Sequence, residues 1–351
     1  NIYDIERRIQ VAENQQMAIK ILLNSLYGAL GNKYFRFFDQ RIAEAITLSG
    51  QLTIRWAEVA LNKYLNNMMG TDKDYIIAID TDSLYVNLGD LVKKFNPKNP
   101  IDFLDTVASE KLEPVLAKSY DNLYQLMGGI ENRMVMKREA IADKGIWTAK
   151  KRYILNAWDI EGVRYQEPKL KIMGIEAVKS STPAPCRDKI KECLKIIMSG
   201  TEKDVNTFIQ EFREEFMKLP PEEIAFPRSV NGLKKWSSSS GIFTKGVPMH
   251  CKGALLYNHY TKQNKLTNKY PLIQEGDKIK FLNMRQPNRM SSNVISFITK
   301  LPPELDLHKM IDYDLQYEKS FVEPLTFIMN QIGWNIDRSY GTQTTLEDFF
   351  G

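Results

Sequence analysis

The sequence predicts an α+β fold on three observations. Two long apolar periodicities of helical spacing open the chain. Two short apolar runs, Tyr75-Ile76-Ile77-Ala78-Ile79 and Leu84-Tyr85-Val86-Asn87-Leu88, then flank an Asp80-Thr81-Asp82-Ser83 unit as the arms of a hairpin would. Finally, a strand-like stretch at 130–173 gives way to helical patterns, and segregated strands and helices are the mark of α+β architecture.

Taken in order, Ile2, Ile5, Ile9, Ala12 and Ile19 mark one long amphipathic helix, with Arg7, Arg8 and Lys20 on its polar face and an end near Gly28 or Gly31. Lys20, Asn24 and Tyr27 stand at i, i+4 and i+7, so a cation, an amide and a phenol share one face, which suits a polyphosphate ligand or, more plainly, solvent. Ile42, Ala45, Ile46, Ser49, Leu52, Trp56, Val59 and Ala60 predict a second helix, stopped by Gly70 and packed under the hairpin. An Asp-x-Asp pair at a hairpin tip is often only a polar turn, since Asp and Ser bond their own backbone there.

A helix follows from about Asp102 to Met127, kinked or interrupted at Pro114 and ended by Gly128-Gly129. From Ile130 to Met173 the pattern is strand-like, with Met134, Val135 and Met136 leading to Lys137-Arg138-Glu139, and with a basic block, Lys150-Lys151-Arg152-Tyr153, lying between Trp147 and Trp158. After Ser180-Ser181-Thr182-Pro183 come one helical pattern through Ile190, Cys193, Leu194 and Ile197 and another through Val205, Phe208, Ile209, Phe212 and Phe216. Ser237-Ser238-Ser239-Ser240-Gly241 reads as a mobile loop, and a last helix is expected around Met310 to Ile332.

At 351 residues and 43% hydrophobic content the chain can bury a sizeable core in two or three subdomains. A net charge of +5 permits a nucleic-acid partner without demanding one. Cys186, Cys193 and Cys251 include no CxxC pair, and His250, His259 and His308 add no second ligand pair, so neither a disulfide framework nor a zinc ribbon is expected, and the compartment is expected to be reducing. No apolar run approaches a membrane span, and no signal peptide is recognisable, so a soluble protein without a membrane partner is expected.

Lys20…Asn24-Ser25-x-Tyr27-Gly28, Asp80-Thr81-Asp82-Ser83 and Lys150-Lys151-Arg152-Tyr153, in that order, resemble the fingers-helix, palm and palm-to-thumb motifs of family B DNA polymerases. Tyr27-Gly28-Ala29-Leu30-Gly31-Asn32, Lys137-Arg138-Glu139-Ala140-Ile141-Ala142 and Leu170-Lys171-Ile172-Met173-Gly174 bring it nearest to the replicative polymerases of T-even-like phages. The resemblance implies an antiparallel palm sheet with flanking helices, a long fingers helix and a mainly helical thumb. It divides the chain into the second half of the fingers at 1–31, the C-terminal part of the palm at 32–175, a thumb at 176–340 and a tail at 341–351.

What the resemblance implies for chemistry is template-directed addition of dNTPs to a primer 3′ end with two divalent cations, Mg2+, held about 4 Å apart. Asp82 would coordinate metal with the incoming triphosphate, Asp80 would support it, and Glu139 matches a family glutamate near the metals or is an ordinary strand-end charge. Lys20 and Asn24 would touch the triphosphate, with Tyr27 and Gly28 against the nascent base pair. Lys151 and Tyr153 would contact the primer strand of the primer-template DNA, Lys150 and Arg152 its phosphates or neighbouring acids, and Lys169, Lys171 and Lys179 would continue the basic track. Gln343, Leu346, Phe349 and Phe350 fit the Gln-x-x-aliphatic-x-x-aromatic-aromatic pattern of peptides that bind a sliding clamp.

The sequence departs from the family pattern in three places. The Asp-x-x-Ser-Leu-Tyr-Pro-Ser unit that carries the family's other palm aspartate is missing, because Ser25-Leu26-Tyr27 and Ser83-Leu84-Tyr85 are followed by other residues. Ala78-Ile79 stands where close relatives carry Tyr-Gly. Asp4-Ile5-Glu6 and Asp159-Ile160-Glu161 mimic the first motif of the proofreading 3′-5′ exonuclease without its remaining carboxylates. A split polymerase is therefore expected, active with an N-terminal polymerase chain that supplies the exonuclease, the remaining palm aspartate and the first fingers helix; a fragment or nicked chain accounts for the sequence equally. A phage polymerase would work in the cytoplasm of the infected bacterium. The competing expectation is a non-catalytic DNA-binding and clamp-tethering module.

Overall fold

The computed structural model describes residues 2–239 and 241–338, without the side chain of Ala177, and the chain divides into two compact units. The first comprises Asn1–Ile141 with Asp159–Arg164, and the second comprises Ala142–Trp158 with Tyr165–Gly351. The architecture is α+β, as the sequence predicts.

In the first unit, α1 (Ile2–Leu30) is a single helix without one buried residue. The stripe expected to bury, Ile2, Ile5, Ile9 and Ile19, is exposed, as are Leu23 and Leu26, which continue it at i+4 and i+7 from Ile19, and Ile21 and Leu22 beside it. Its C-terminal end is held where the Asp39 amide donates to the Leu30 carbonyl (3.2 Å). Asp39 then caps α2 (Gln40–Met69), accepting from the Arg41 amide, and Gly70 closes it in the left-handed conformation at φ 68°.

The buried stripe of α2 is Ile54, Ala57, Leu61 and Leu65, whereas Ile42, Ile46, Leu52 and Val59 of the expected stripe are exposed. The helix carries apolar residues on two sides, and the core takes the side that meets the hairpin. That hairpin is β1 (Ile76–Asp80) against β2 (Ser83–Val86), antiparallel with Asp80 opposite Ser83. Ala57, Leu61 and Leu65 pack with Tyr75 and Ile76 and with Leu112, Leu116 and Tyr120 from the next helical segment.

That segment follows the short α3 (Gly89–Phe95) and shows how Pro114 is accommodated. α4 (Pro100–Val107) widens into a π turn over Ala108–Leu112 before α5 (Glu113–Leu126) resumes with Pro114 in its first turn. A proline clashes with the carbonyl of residue i−4 and offers it no N–H; the wider turn moves the hydrogen bonding one residue back, so the Glu113 amide reaches the Ala108 carbonyl. Residues 130–139 form no strand, contrary to the pattern at Met134–Met136, although burial still alternates from 131 onward.

β3 (Ala140–Ala149), β4 (Arg152–Ile160) and β5 (Val163–Met173) form one sheet in that order. It is separate from the β1-β2 sheet, so the expected single palm sheet is two sheets among the described residues. The β4-β5 connection is Glu161-Gly162, both at positive φ (53° and 82°), the backbone that a tight two-residue hairpin turn requires.

The rest of the second unit is built on α6 (Ala184–Ser199) and α7 (Glu202–Phe216), whose buried faces are the ones the sequence predicts. Thr201 and Asp204 close a reciprocal capping box at the start of α7. Two four-residue helices, α8 (Pro221–Ile224) and α9 (Leu233–Trp236), lead to α10 (Met249–Gln263). The Ser237–Ser239 segment is looped by a bridge between Ser237 and Phe243.

A three-stranded antiparallel sheet, β6 (Phe226–Ser229), β7 (Lys278–Asn283) and β8 (Val294–Phe297), lies within what the sequence predicts to be a mainly helical region. The last helical segment repeats the device at Pro114: α11 (Tyr313–Tyr317), a π turn over Glu318–Val322, then α12 (Glu323–Asn330) with Pro324 in its first turn. Tyr317 and Phe321 stack there against Phe212 and Phe216 of α7 in one core that also takes residues of α6, α10, β7 and β8.

α10 packs on β8 through Gly253, where an added Cβ would lie 2.7 Å from the Ser296 amide nitrogen and 2.9 Å from the Ile295 carbonyl carbon. Because those neighbours are backbone, they cannot rotate away. Gly253→Ala is expected to cost about 2–3 kcal/mol by overpacking and to lower the Tm of the unit by roughly 5–10 °C, as measured by calorimetry; an unchanged Tm would show that the helix can lift from the sheet at no cost.

Candidate nucleic-acid and metal site

The hairpin places Asp80 at the end of β1, half-buried, and Asp82 in the exposed turn. The Asp82 amide donates to the Asp80 carbonyl (2.6 Å), Thr81 sits between them at φ 54°, and the hydroxyls of Thr81 and Ser83 donate to the Asp80 carboxylate and carbonyl (each 3.0 Å). Four consecutive polar residues thus fix one another's backbone, and two carboxylates share one tight turn.

No group of three His, Cys, Asp or Glu side chains able to hold a metal ion occurs among the described residues, so Glu139 is not gathered with the two aspartates. The donor chemistry nonetheless fits Mg2+, a hard cation that is commonly held by one or two carboxylates and completed by water and phosphate oxygens. Asp80 and Asp82 provide such a pair.

Lys20, Asn24, Tyr27 and Gly28 are all exposed on α1. Gly28 is in open space, with nothing within 4 Å of an added Cβ.

In the second unit, Lys150 and Lys151 form the β3-β4 turn, and with Arg152 they are exposed. Lys151 has φ 63°, and Gly174, at φ 68°, lies so close that a Cβ would run into the Lys151 carbonyl oxygen. Gly174 therefore serves as the seat of the basic turn, a role that spacing in the sequence does not reveal. Tyr153 differs from its neighbours: it is buried, with its ring stacked 6.2 Å from that of Trp147. Lys171 is half-buried on β5, and Lys179 pairs with Glu176 (2.6 Å), a bond that holds the Glu176 carboxyl below its ordinary range.

Asp159 is buried and accepts from Arg138 and Arg164, with its Oδ1 also taking the Gly162 amide (3.1 Å). It is a structural ion-pair partner, which agrees with setting aside Asp159-Ile160-Glu161 as a nuclease motif. The ion pairs of Arg138 and Arg164 went unread in the sequence; the available signal was a charged residue placed next to the apolar core of β4. Gln343, Leu346, Phe349 and Phe350 lie outside the described residues. Among those described, no helix is long and apolar enough to cross a membrane.

The sequence profile of DNA polymerase family B matches residues 4–293. The DNA-directed DNA polymerase of Escherichia phage RB69 is 39% identical over 330 residues, covering 88% of this chain and 36% of the phage protein. That of Enterobacteria phage T4 is 35% identical across 100% of this chain and 40% of its own length. A DNA polymerase of Pyrococcus glycovorans is 24% identical over 63% of the chain and 24% of its own length. The chain therefore spans well under half the length of these relatives. A profile match over most of the chain, with phage relatives aligned along nearly all of it, makes this protein a member of DNA polymerase family B.

Proposed function

We propose that the chain is the C-terminal part of a template-directed DNA polymerase that extends a primer 3′ end with dNTPs, acting together with a partner chain or segment that supplies the first fingers helix, the remaining palm aspartate and the 3′-5′ exonuclease. The observation that carries this reading is the paired carboxylate turn, Asp80 and Asp82, in a chain whose exposed helix face presents Lys20, Asn24 and Tyr27. Two carboxylates carried on one short turn make a cation a favourable shared partner. A tether or scaffold has no use for them.

In this reading Asp82, with Asp80 in support, holds Mg2+, which would supply Lewis-acid stabilisation of phosphoryl oxygens. Lys20 places a point charge on the triphosphate and Asn24 orients it by donation. Tyr27 lies along the minor-groove side of the new base pair, with room left by Gly28. Lys150, Lys151 and Arg152 take backbone phosphates of the primer-template, while Tyr153 supports the turn from beneath through Trp147. The tail residues Gln343, Leu346, Phe349 and Phe350 bind a sliding clamp, and the setting is the cytoplasm of a phage-infected bacterium.

Primer extension by the chain alone, and by the chain mixed with the upstream polymerase segment, tests the assignment. Extension is expected in the mixture, and Asp82→Ala should lower its rate on the order of 10³-fold, the several kcal/mol that a metal clamp provides. An Asp82→Ala mixture of full activity would discard the site, and DNA binding with no extension in any mixture would favour a tethering module.

Gly174→Ala should displace the basic turn. Loss of about one phosphate contact should make the salt dependence of primer-template binding shallower by about one charge; an unaltered salt slope would remove the turn from the interface. Phe349→Ala with Phe350→Ala should weaken clamp retention roughly 10²-fold, if both rings are anchors of the usual strength; retained binding in a pull-down would exclude the tail.

A further inference from the structure

Between β5 and α6 the chain makes a short loop with buried ends and an exposed middle: Ile175 and Thr182 are 6% and 8% exposed, while Glu176, Lys179 and Ser180 face solvent. A 3₁₀ turn over Glu176–Val178 shapes it, with the Lys179 amide donating to the Glu176 carbonyl (3.0 Å) and the Thr182 amide to the Lys179 carbonyl (3.1 Å). The loop is also held from outside, because Arg228 of β6 donates through Nη1 to the Ser181 carbonyl (2.7 Å). At its start the Arg152 side chain lies against Gly174, its Cγ 3.1 Å from where an added Cβ would stand.

Three cations from three segments, Arg152 of β4, Lys179 of the loop and Arg228 of β6, are thereby gathered near one carboxylate, that of Glu176. Its Oε1 accepts from the Lys179 ammonium (2.6 Å). That hydrogen bond is the main reason the carboxyl titrates below its ordinary range, and the charges of Lys179, Arg152 and Arg228 add to it. The pair is nonetheless open, with the Lys179 and Glu176 side chains 52% and 62% exposed. An ion pair in that much water contributes little to stability and exchanges its partner at little cost. A carboxylate and a phosphodiester offer an ammonium the same thing, negatively charged oxygens that accept charge-assisted hydrogen bonds. The loop therefore combines an anchored backbone, fixed cations and a displaceable internal anion.

We propose that Glu176 is an internal stand-in for a backbone phosphate of the primer-template: it occupies Lys179 in the DNA-free protein and is displaced when that phosphate binds at the cluster. The inference rests on the proposed function, since it takes Lys179 and the basic turn to lie on the path of the duplex. The exchange costs affinity. The phosphate must break the ion pair, and the freed carboxylate stays beside the DNA as a like charge. Glu176 is thus a brake on backbone binding, whereas a residue that merely aimed Lys179 at the DNA would promote it. The two roles predict effects of opposite sign.

The test is the binding of a fluorescent primer-template to this chain, alone and mixed with the upstream polymerase segment, across a salt series. Glu176→Gln, which removes the charge and keeps the shape, should tighten binding several-fold and make the fall of affinity with salt steeper by about one charge. Lys179→Met should weaken binding and make that fall shallower by about one charge. In the Lys179→Met background the gain from Glu176→Gln should shrink, because the ion pair it would release is already gone. An equal gain in both backgrounds would mark plain removal of a surface charge and overturn the proposal. Weaker or unchanged binding by Glu176→Gln would overturn it too, while leaving the polymerase reading intact. Wild-type protein that binds no primer-template in either form would overturn the proposal and the polymerase reading together.

Discussion

Two negative charges held one residue apart by a hydrogen-bonded turn are the constraint around which the first unit is arranged. The backbone that carries Asp80 and Asp82 is fixed, because the Asp82 amide is engaged with the Asp80 carbonyl and Thr81 occupies a left-handed conformation. The hairpin arms must therefore be anchored firmly enough to present such a turn. Tyr75 and Ile76, buried against Ala57, Leu61 and Leu65 of α2, provide the anchor through apolar burial. Stability is concentrated at the base of the hairpin, and charge at its tip.

Both units solve one steric problem in the same way. Pro114 and Pro324 each lie inside a helical run, where a proline ordinarily breaks or kinks the helix. Each is preceded by a five-residue π turn, Ala108–Leu112 and Glu318–Val322. The extra residue keeps the run continuous and rotates the apolar face that follows, so Leu116 and Tyr120 in one case and Leu325 and Ile328 in the other meet their cores. The sequence forecast an interruption at Pro114; the bulge converts it into an offset.

Legibility followed the strength of the local pattern. The hairpin, the caps at Gly70 and Gly128, and helices α6 and α7 could be read because period and punctuation agree there. The buried stripe of α2 could not, because Leu52 and Val59 on one side compete with Ala57, Leu61 and Leu65 on the other, while Ile42 and Ile46 lie in the N-terminal part of the helix where nothing is buried. Strands β6 to β8 were missed since they are short and interrupted by Pro227, Lys278 and Lys280. At the candidate site, motif spacing pointed to Asp80, Asp82, Lys20 and the basic turn, but the seat under that turn, Gly174, and the Arg138–Asp159 ion pair depend on chain segments distant in sequence.

The bare surface of α1 has a dynamic consequence. A helix of 29 residues with no buried side chain depends chiefly on its own hydrogen bonds and intrinsic propensity. Its amide protons should exchange with solvent through fraying and local opening, orders of magnitude sooner than those of α6 or α7, which open only with the unit they stabilise. Whatever docks on α1 would therefore do two things at once: bury Ile21, Leu22 and Leu23, and slow the isotope exchange of the helix that bears Lys20 and Asn24.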